Sequence, residues 1–154
     1  MPKLDLPAIE QTDRTGYPDP FDKAVAGRWY RRLAPAGGLT RMGASHVVLK
    51  PGAWSSQRHW HDDEDELLVM LTGEAVLVED GGETVLRPGD CAAFPAGVKN
   101  GHHLQNRSDA DSSFVVVGAG NFDGAGGYSD IDMTFSGEGY FHKDGTPYPA
   151  GRLR

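Results

Sequence analysis

The residues point to an all-β sandwich or small barrel, and three observations carry that expectation. The 154 residues include 21 glycines and 10 prolines, a composition that favours many tight turns and short strands over long helices. Short apolar runs recur through the middle of the chain at spacings of about 8 to 12 residues. Between two of them stands Asp80-Gly81-Gly82, a hairpin signal.

In chain order, residues 1–38 mix Pro2, Pro7, Pro18, Pro20 and Pro35 with scattered apolar residues and read as an irregular N-terminal arm. Phe21, Val25, Trp29, Tyr30 and Leu33 are its expected anchors, and residues 20–26 leave room for a short helix. Residues 39–120 form the expected barrel core. Leu39 to Leu49 is extended and ends at the turn Lys50-Pro51-Gly52. Trp54 to His61 follows, then Leu67 to Leu71 and Glu74 to Val78 as a pair of strands around Thr72-Gly73, and Thr84 to Leu86 as the return strand after Asp80-Gly81-Gly82. Cys91 to Phe94 lies between Arg87-Pro88-Gly89-Asp90 and Pro95-Ala96-Gly97, and Ser113 to Val117 gives another strand. Residues 121–154 begin with a Gly-rich linker to Gly127 and read as a C-terminal extension packing on the barrel.

The stretch from His59 to Glu74 concentrates the chemistry. On an extended strand, side chains at i and i+2 share a face, roughly 7 Å apart at Cα. His59 and His61 can therefore converge on one ion while Trp60 faces away. Metal–nitrogen bonds of about 2.0 to 2.1 Å fit that convergence. Glu66 can add a carboxylate from the next strand after a turn through Asp62 to Asp65, which is otherwise a solvated acidic loop. Cys91, Trp60, Met70 and Trp54 read first as packing residues.

A single apolar core serves this length, burying about 68 to 70% of the unfolded surface, so a metal is not needed to hold the fold. The formal net charge of −7 sets the chain against nucleic acid and anionic membranes, and an anionic substrate would need a local cationic pocket. Arg41, Lys50 and Arg58 are candidates for such a role. The single cysteine excludes an intramolecular disulfide, and the first ten residues contain no apolar signal core, so the expected location is the cytoplasm.

Two motifs then give the chain a resemblance. Gly52, His59, His61, Glu66 and Gly73 match G-x5-H-x-H-x(3 or 4)-E-x6-G with one extra residue, and Gly89, Pro95, Gly97, His102 and Asn106 match G-x5-P-x-G-x2-H-x3-N with two extra. In both, the chain resembles the cupin superfamily, and its flanks resemble single-domain bacterial cupins. The resemblance implies a double-stranded β-helix, or jelly-roll barrel, carrying N- and C-terminal arms. It also implies one divalent ion (Zn, Fe, Mn or Ni) held by three histidines and a glutamate. His59, His61 and Glu66 take three of those places. His102 is the first choice for the fourth and His103 the second, because the insertion leaves Asn100 where an uninserted chain would have its histidine; without either, a two-histidine-one-carboxylate triad remains.

Such a site suits a metal-dependent enzyme acting on a small polar molecule, by isomerisation of a sugar or sugar phosphate or by dioxygenation, and the same barrel also serves non-catalytic ligand binding or sensing. Met42, Ser45, Trp54 and Gln57 are pocket candidates; Met42 and Ser45 lie on opposite faces of their strand, so only one of them can face the pocket. The expected assembly is a homodimer joined through an edge strand.

Overall fold

A computed structural model describes residues 3–121 and 123–149 of the chain. It is nearly all β, built from antiparallel pairs in three sheets. The largest sheet has the order β1 (Arg28–Arg32), β2 (Gly43–Leu49), β9 (Ser112–Gly120), β4 (Glu64–Thr72) and β7 (Cys91–Phe94). Facing it are a sheet of β6 (Gly82–Leu86), β5 (Ala75–Glu79) and β8 (His103–Gln105), and one of β12 (Gly139–Phe141), β11 (Thr134–Ser136), β10 (Gly126–Tyr128) and β3 (His59–His61). The bridges His59 to His102 and Trp54 to Gln105 join these two smaller sheets into one wall. The result is the jelly-roll barrel expected from the two motifs. No helix among the described residues is long and apolar enough to cross a membrane.

Strand alternation builds the core. On β4, Leu68 and Met70 point inward and are buried, whereas Leu67 and Leu71 point outward and are 45% and 42% exposed. Val47 and Leu49 from β2, Phe114 from β9, Leu77 from β5, Leu86 from β6 and Leu104 from β8 meet them between the walls. Asn106, the last residue of the second motif, is fully buried beneath this cluster. Its Nδ2 donates to the carbonyls of Leu49 and Ala110 at 2.8 Å each, and its Oδ1 accepts from Ser108. The motif asparagine thus fastens a loop to a strand, satisfying carbonyls that would otherwise be costly to bury.

The motif glycines Gly52, Gly73, Gly89 and Gly97 all occupy the left-handed region, with φ of 81°, 67°, 94° and 76°. Gly73 has a second constraint, since a Cβ there would lie 2.6 Å from the carbonyl oxygen of Asp111. Its turn also corrects the expected pairing of Leu67–Leu71 with Glu74–Val78. After a register shift between Met70 and Thr72, the chain leaves the large sheet at Gly73, and β5 pairs with β6 and β8 rather than with β4.

Three further expectations change. No helix forms over residues 20–26, where closely spaced prolines and Gly27 yield consecutive turns; the short α1 lies at Leu33–Ala36. The N-terminal segment is not wholly an arm, because β1 pairs with β2 along its full length and closes the large sheet. Cys91 is exposed rather than in the core, because on β7 it is Ala92 and Phe94 that turn inward and pack against the core.

The C-terminal extension is woven in equally firmly. β10 pairs with β3, placing Gly126 opposite His61 and Tyr128 opposite His59. A second apolar cluster, of Tyr17, Val25, Tyr128 and Met133, joins the start of the chain to its end, with Phe135 and Tyr140 against it. Residues 150–154, the last of the expected extension, lie outside the described residues.

Candidate metal site in the barrel

The two walls enclose a cavity of ≈ 620 Å³. His59, His61, Glu66 and His102 stand together on its lining. β3 delivers the two histidines, with Trp60 turned to the opposite face. β4 delivers Glu66, whose backbone partners are Phe94 on one side and Gly118 on the other. The His59–His102 bridge brings the last histidine in.

One ligand atom from each of His59, His61 and Glu66 lies within 4.8 Å of the others, so these three residues could hold a metal ion. The Nε2 atoms of His59 and His61 are 3.2 Å apart. For bonds of the usual metal–imidazole length, that separation subtends an angle of about 100° at a shared ion. Nε2 of His102 donates to Oε2 of Glu66 at 2.8 Å, and its ring lies 5.1 Å from that of His59.

The surroundings fix which nitrogen is free. The carbonyl of Gln57 can only accept, so its 3.1 Å contact places the His59 proton on Nδ1 and leaves the Nε2 lone pair facing the cavity. Ser56 Oγ supports the same Nδ1 at 3.2 Å. On His61, Nδ1 lies 3.5 Å from a Glu64 carboxylate oxygen. The two Nε2 atoms face each other at 3.2 Å, and the donor set of imidazoles and carboxylate suits a divalent transition metal. This is the fit expected of a metal centre.

Electrostatics agree with that reading. Burial lowers the His59 pKa to about 3, so the ring is neutral, and burial also lowers His61. Burial pushes Glu66 upward, but the His102 hydrogen bond and the adjacent imidazoles outweigh it and hold the carboxyl below its ordinary range. Glu64 is driven up to about 7 by burial and by the charge of Glu66. Glu64 also departs from the solvated acidic loop expected over Asp62–Asp65. It opens β4 on the inward face, and Gly118 leaves the space its side chain occupies.

The structure separates the remaining candidates. Phe94 stacks flat on His102, with centroids 3.5 Å apart. His103 points the other way along β8, with Nδ1 on the Ser56 carbonyl at 2.9 Å and Nε2 on the Gln105 side chain, and it is thereby taken out of the donor set. Asn100 turns away too, donating to Glu79 and accepting from the Asp80 N–H, so the 95–101 loop absorbs the two-residue insertion.

Of the pocket candidates, Ser45 lines the cavity beside Val47, and this chooses its face of β2. Met42 is instead exposed, at the start of the opposite face. Trp54 alternates outward from Ser55 and packs edge-on against His103 at 4.6 Å. Gln57 is buried by a bond from its side chain to the Phe21 carbonyl and one from its N–H to Tyr17 Oη. Neither Trp54 nor Gln57 is on the cavity wall among the described residues.

The expected cations are committed elsewhere or exposed. Lys50 pairs with Asp111, Arg58 is clamped between Asp80 and Asp130, and Arg41 is exposed. Residues that the motifs did not indicate complete the wall: Arg28 and Tyr30 from β1, Tyr17 from the N-terminal segment, and Tyr128, Phe135 and Tyr140 from the C-terminal strands. Their sequence signal is only the alternation in Arg28-Trp29-Tyr30, which places Arg28 and Tyr30 on one face once the segment is known to be a strand.

The family model for the cupin domain matches residues 45–118. A crystal structure of a sugar phosphate isomerase from a cupin superfamily, from Silicibacter pomeroyi, is 44% identical and superposes with a TM-score of 0.90 over 99% of this chain and 100% of that one. A Cupin 2 conserved barrel domain protein from Salinispora arenicola shares 22% identity at TM-score 0.56, covering 79% of this chain and 88% of its own. The polyketide cyclase RemF from Streptomyces resistomycificus shares 20% at 0.63, covering 77% and 79%. The last two show a common fold and nothing more about activity. No curated protein matches the chain.

Proposed function

The chain belongs to the cupin superfamily, and we propose that within it this protein is a metal-dependent isomerase of a sugar phosphate. The observation that carries the reading is the likeness, at 44% identity over 99% of the chain, to a protein described as a sugar phosphate isomerase. The converging donors of His59, His61 and Glu66 support it. We assign His59, His61, Glu66 and His102 as the ligands of one divalent ion, His102 through Nε2 once the proton it gives Glu66 moves to its unpartnered Nδ1, with Zn, Fe, Mn or Ni all compatible with that donor set. Bound there, the ion would supply Lewis-acid polarisation of a substrate carbonyl or hydroxyl.

The chain's own residues perform the rest. Ser56 and the Gln57 carbonyl hold the His59 imidazole in its tautomer, and Glu64 lies beside the His61 Nδ1 at 3.5 Å. Phe94 covers His102, and Phe135 packs edge-on against His61 at 5.3 Å and His59 at 6.3 Å, limiting water at the donor atoms. Burial keeps Tyr17 and Tyr128 protonated. Tyr17 Oη accepts from Tyr128 and from the Gln57 N–H, leaving its own proton to donate to a sugar oxygen. The exposed β11–β12 turn at Gly137 and Glu138 forms the rim where substrate enters.

The test is NMR of an aldose and ketose phosphate panel incubated with metal-loaded protein. Interconversion that stops on addition of a chelator is expected. Stable binding without turnover across the panel would replace the isomerase by a small-ligand-binding barrel.

We also propose a homodimer in a reducing cytoplasm. The outward face of the large sheet presents Leu67 and Leu71 to solvent, and pairing two copies would cover it. Light scattering should give twice the 16.6 kDa chain mass; a mass of 16.6 kDa at every concentration would contradict the pairing.

A further inference from the structure

We propose that Arg28, on the cavity wall and with no acidic partner among the described residues, is the anchor for the phosphate group of the substrate. The inference rests on the sugar-phosphate reading and adds to it the residue that recognises the anionic end.

Arg28 and Tyr30 alternate inward from β1, and the guanidinium carbon lies 5.5 Å from the Tyr30 ring centre. Nη1 donates to the Ser55 carbonyl at 2.9 Å and Nη2 to the Arg14 carbonyl at 3.3 Å. Tyr30 Oη donates to the same Arg14 carbonyl at 3.2 Å, so the group is held in place from two directions. Both acceptors are neutral. Nε is buried with no hydrogen-bond partner. A guanidinium remains charged under all ordinary conditions, so its charge here is held but not balanced.

Three other arginines are neutralised by carboxylates: Arg58 has Asp80 and Asp130, Arg107 has Glu83, and Arg87 has Glu74. Arg14, Arg31, Arg32 and Arg41, which like Arg28 have no ion pair among the described residues, lie off the cavity wall. Among the described residues Arg28 is the single lysine or arginine on the cavity wall. In a chain of net charge −7, it is the local cation that an anionic substrate needs.

Its position relative to the metal donors is also suitable. Ser55, which receives Nη1, is followed by Ser56, whose hydroxyl supports His59. The Tyr128 ring lies 6.0 Å from that of His59 and 5.8 Å from that of Tyr17 on the same cavity wall as Arg28. Arg28 lies close enough for its charge to act on the hydroxyls of Tyr17 and Tyr140 against the burial that raises both. A sugar lying along the tyrosines would therefore reach the metal donors at one end and Arg28 at the other. A phosphate monoester accepts from a guanidinium in the forked geometry that arginine offers.

The test is titration calorimetry of metal-loaded wild type, Arg28→Gln and Arg28→Lys with inorganic phosphate and separately with acetate, recording metal content and melting temperature of each. Wild type should prefer phosphate, Arg28→Gln should bind it about 10- to 100-fold more weakly with unchanged metal content, and Arg28→Lys should recover part of the affinity. Equal phosphate affinity in wild type and Arg28→Gln, no phosphate binding in wild type, or acetate bound as tightly as phosphate would overturn the assignment. If Arg28→Gln does not fold, a wild-type crystal soaked in phosphate decides: an anion against the Arg28 guanidinium supports the subsite, and one only at the metal overturns it. Turnover measured in parallel separates the two readings. A raised KM for the phosphorylated sugar in Arg28→Gln with little change in kcat supports the anchor, whereas an unchanged KM removes the anchor and leaves the isomerase. Arg28-dependent phosphate binding without turnover in any variant removes the isomerase and leaves the anchor.

Discussion

His61→Ala is expected to melt cooperatively near the wild-type temperature of the metal-free protein while losing isomerase activity by at least about 100-fold, with metal affinity falling by a similar factor. The separation of effects follows from where the residue sits. His61 is on a three-residue strand at the cavity, and the apolar cluster from Val47 to Phe114 packs independently of it. Removing the ring takes away one of two Nε2 donors 3.2 Å apart and leaves Glu64 without its imidazole partner. Calorimetry and the NMR assay on the same preparation check this. A variant that no longer unfolds cooperatively would make the metal a structural element instead.

Met133→Ala should lower stability by about 2 to 5 kcal/mol, the usual cost of truncating a fully buried methionine. Met133 has no exposed surface and packs with Tyr17, Val25 and Tyr128, so the cavity it would leave sits where the first and last parts of the chain meet. Because β10 is paired to β3 beside His59 and His61, the loss should appear in one transition for the whole molecule rather than as separate melting of the extension. Urea unfolding followed by tryptophan fluorescence and by circular dichroism should give coincident curves shifted to lower denaturant. A shift under about 0.5 kcal/mol, or curves that separate, would show that the extension is a loose appendage.

The residues legible in the sequence are those whose spacing alone determines their contact. His59 and His61 face one way because they are two apart on a strand, and Glu66 joins them because the intervening loop is short. The motif glycines were legible as turns because left-handed backbone selects glycine. What spacing could not convey was which sheet a strand joins. The Thr72-Gly73 turn resembles a hairpin in sequence, yet the close approach of Asp111 at Gly73 sends β5 to the opposite wall.

The cavity wall was harder still to read. Arg28, Tyr17 and Tyr128 lie far apart along the chain, and only long-range pairing of β1 with β2 and of β10 with β3 brings them to the cavity. Trp54 and Gln57 were close in sequence to the metal stretch but belong to the outward packing and to the arm. Nearness along the chain was a poor guide there. Choosing between His102 and His103 needed the path of the 95–101 loop, which Asn100 fixes through Glu79 and Asp80.

Metal analysis of wild type beside His102→Ala decides whether His59, His61, Glu66 and His102 hold one divalent ion. Protein purified without added metal or affinity chelation should carry about one equivalent of Zn, Fe, Mn or Ni, and the variant should lose most of it. Wild type that takes up none of these ions on incubation, or a variant that retains the full complement, would contradict the four-residue site.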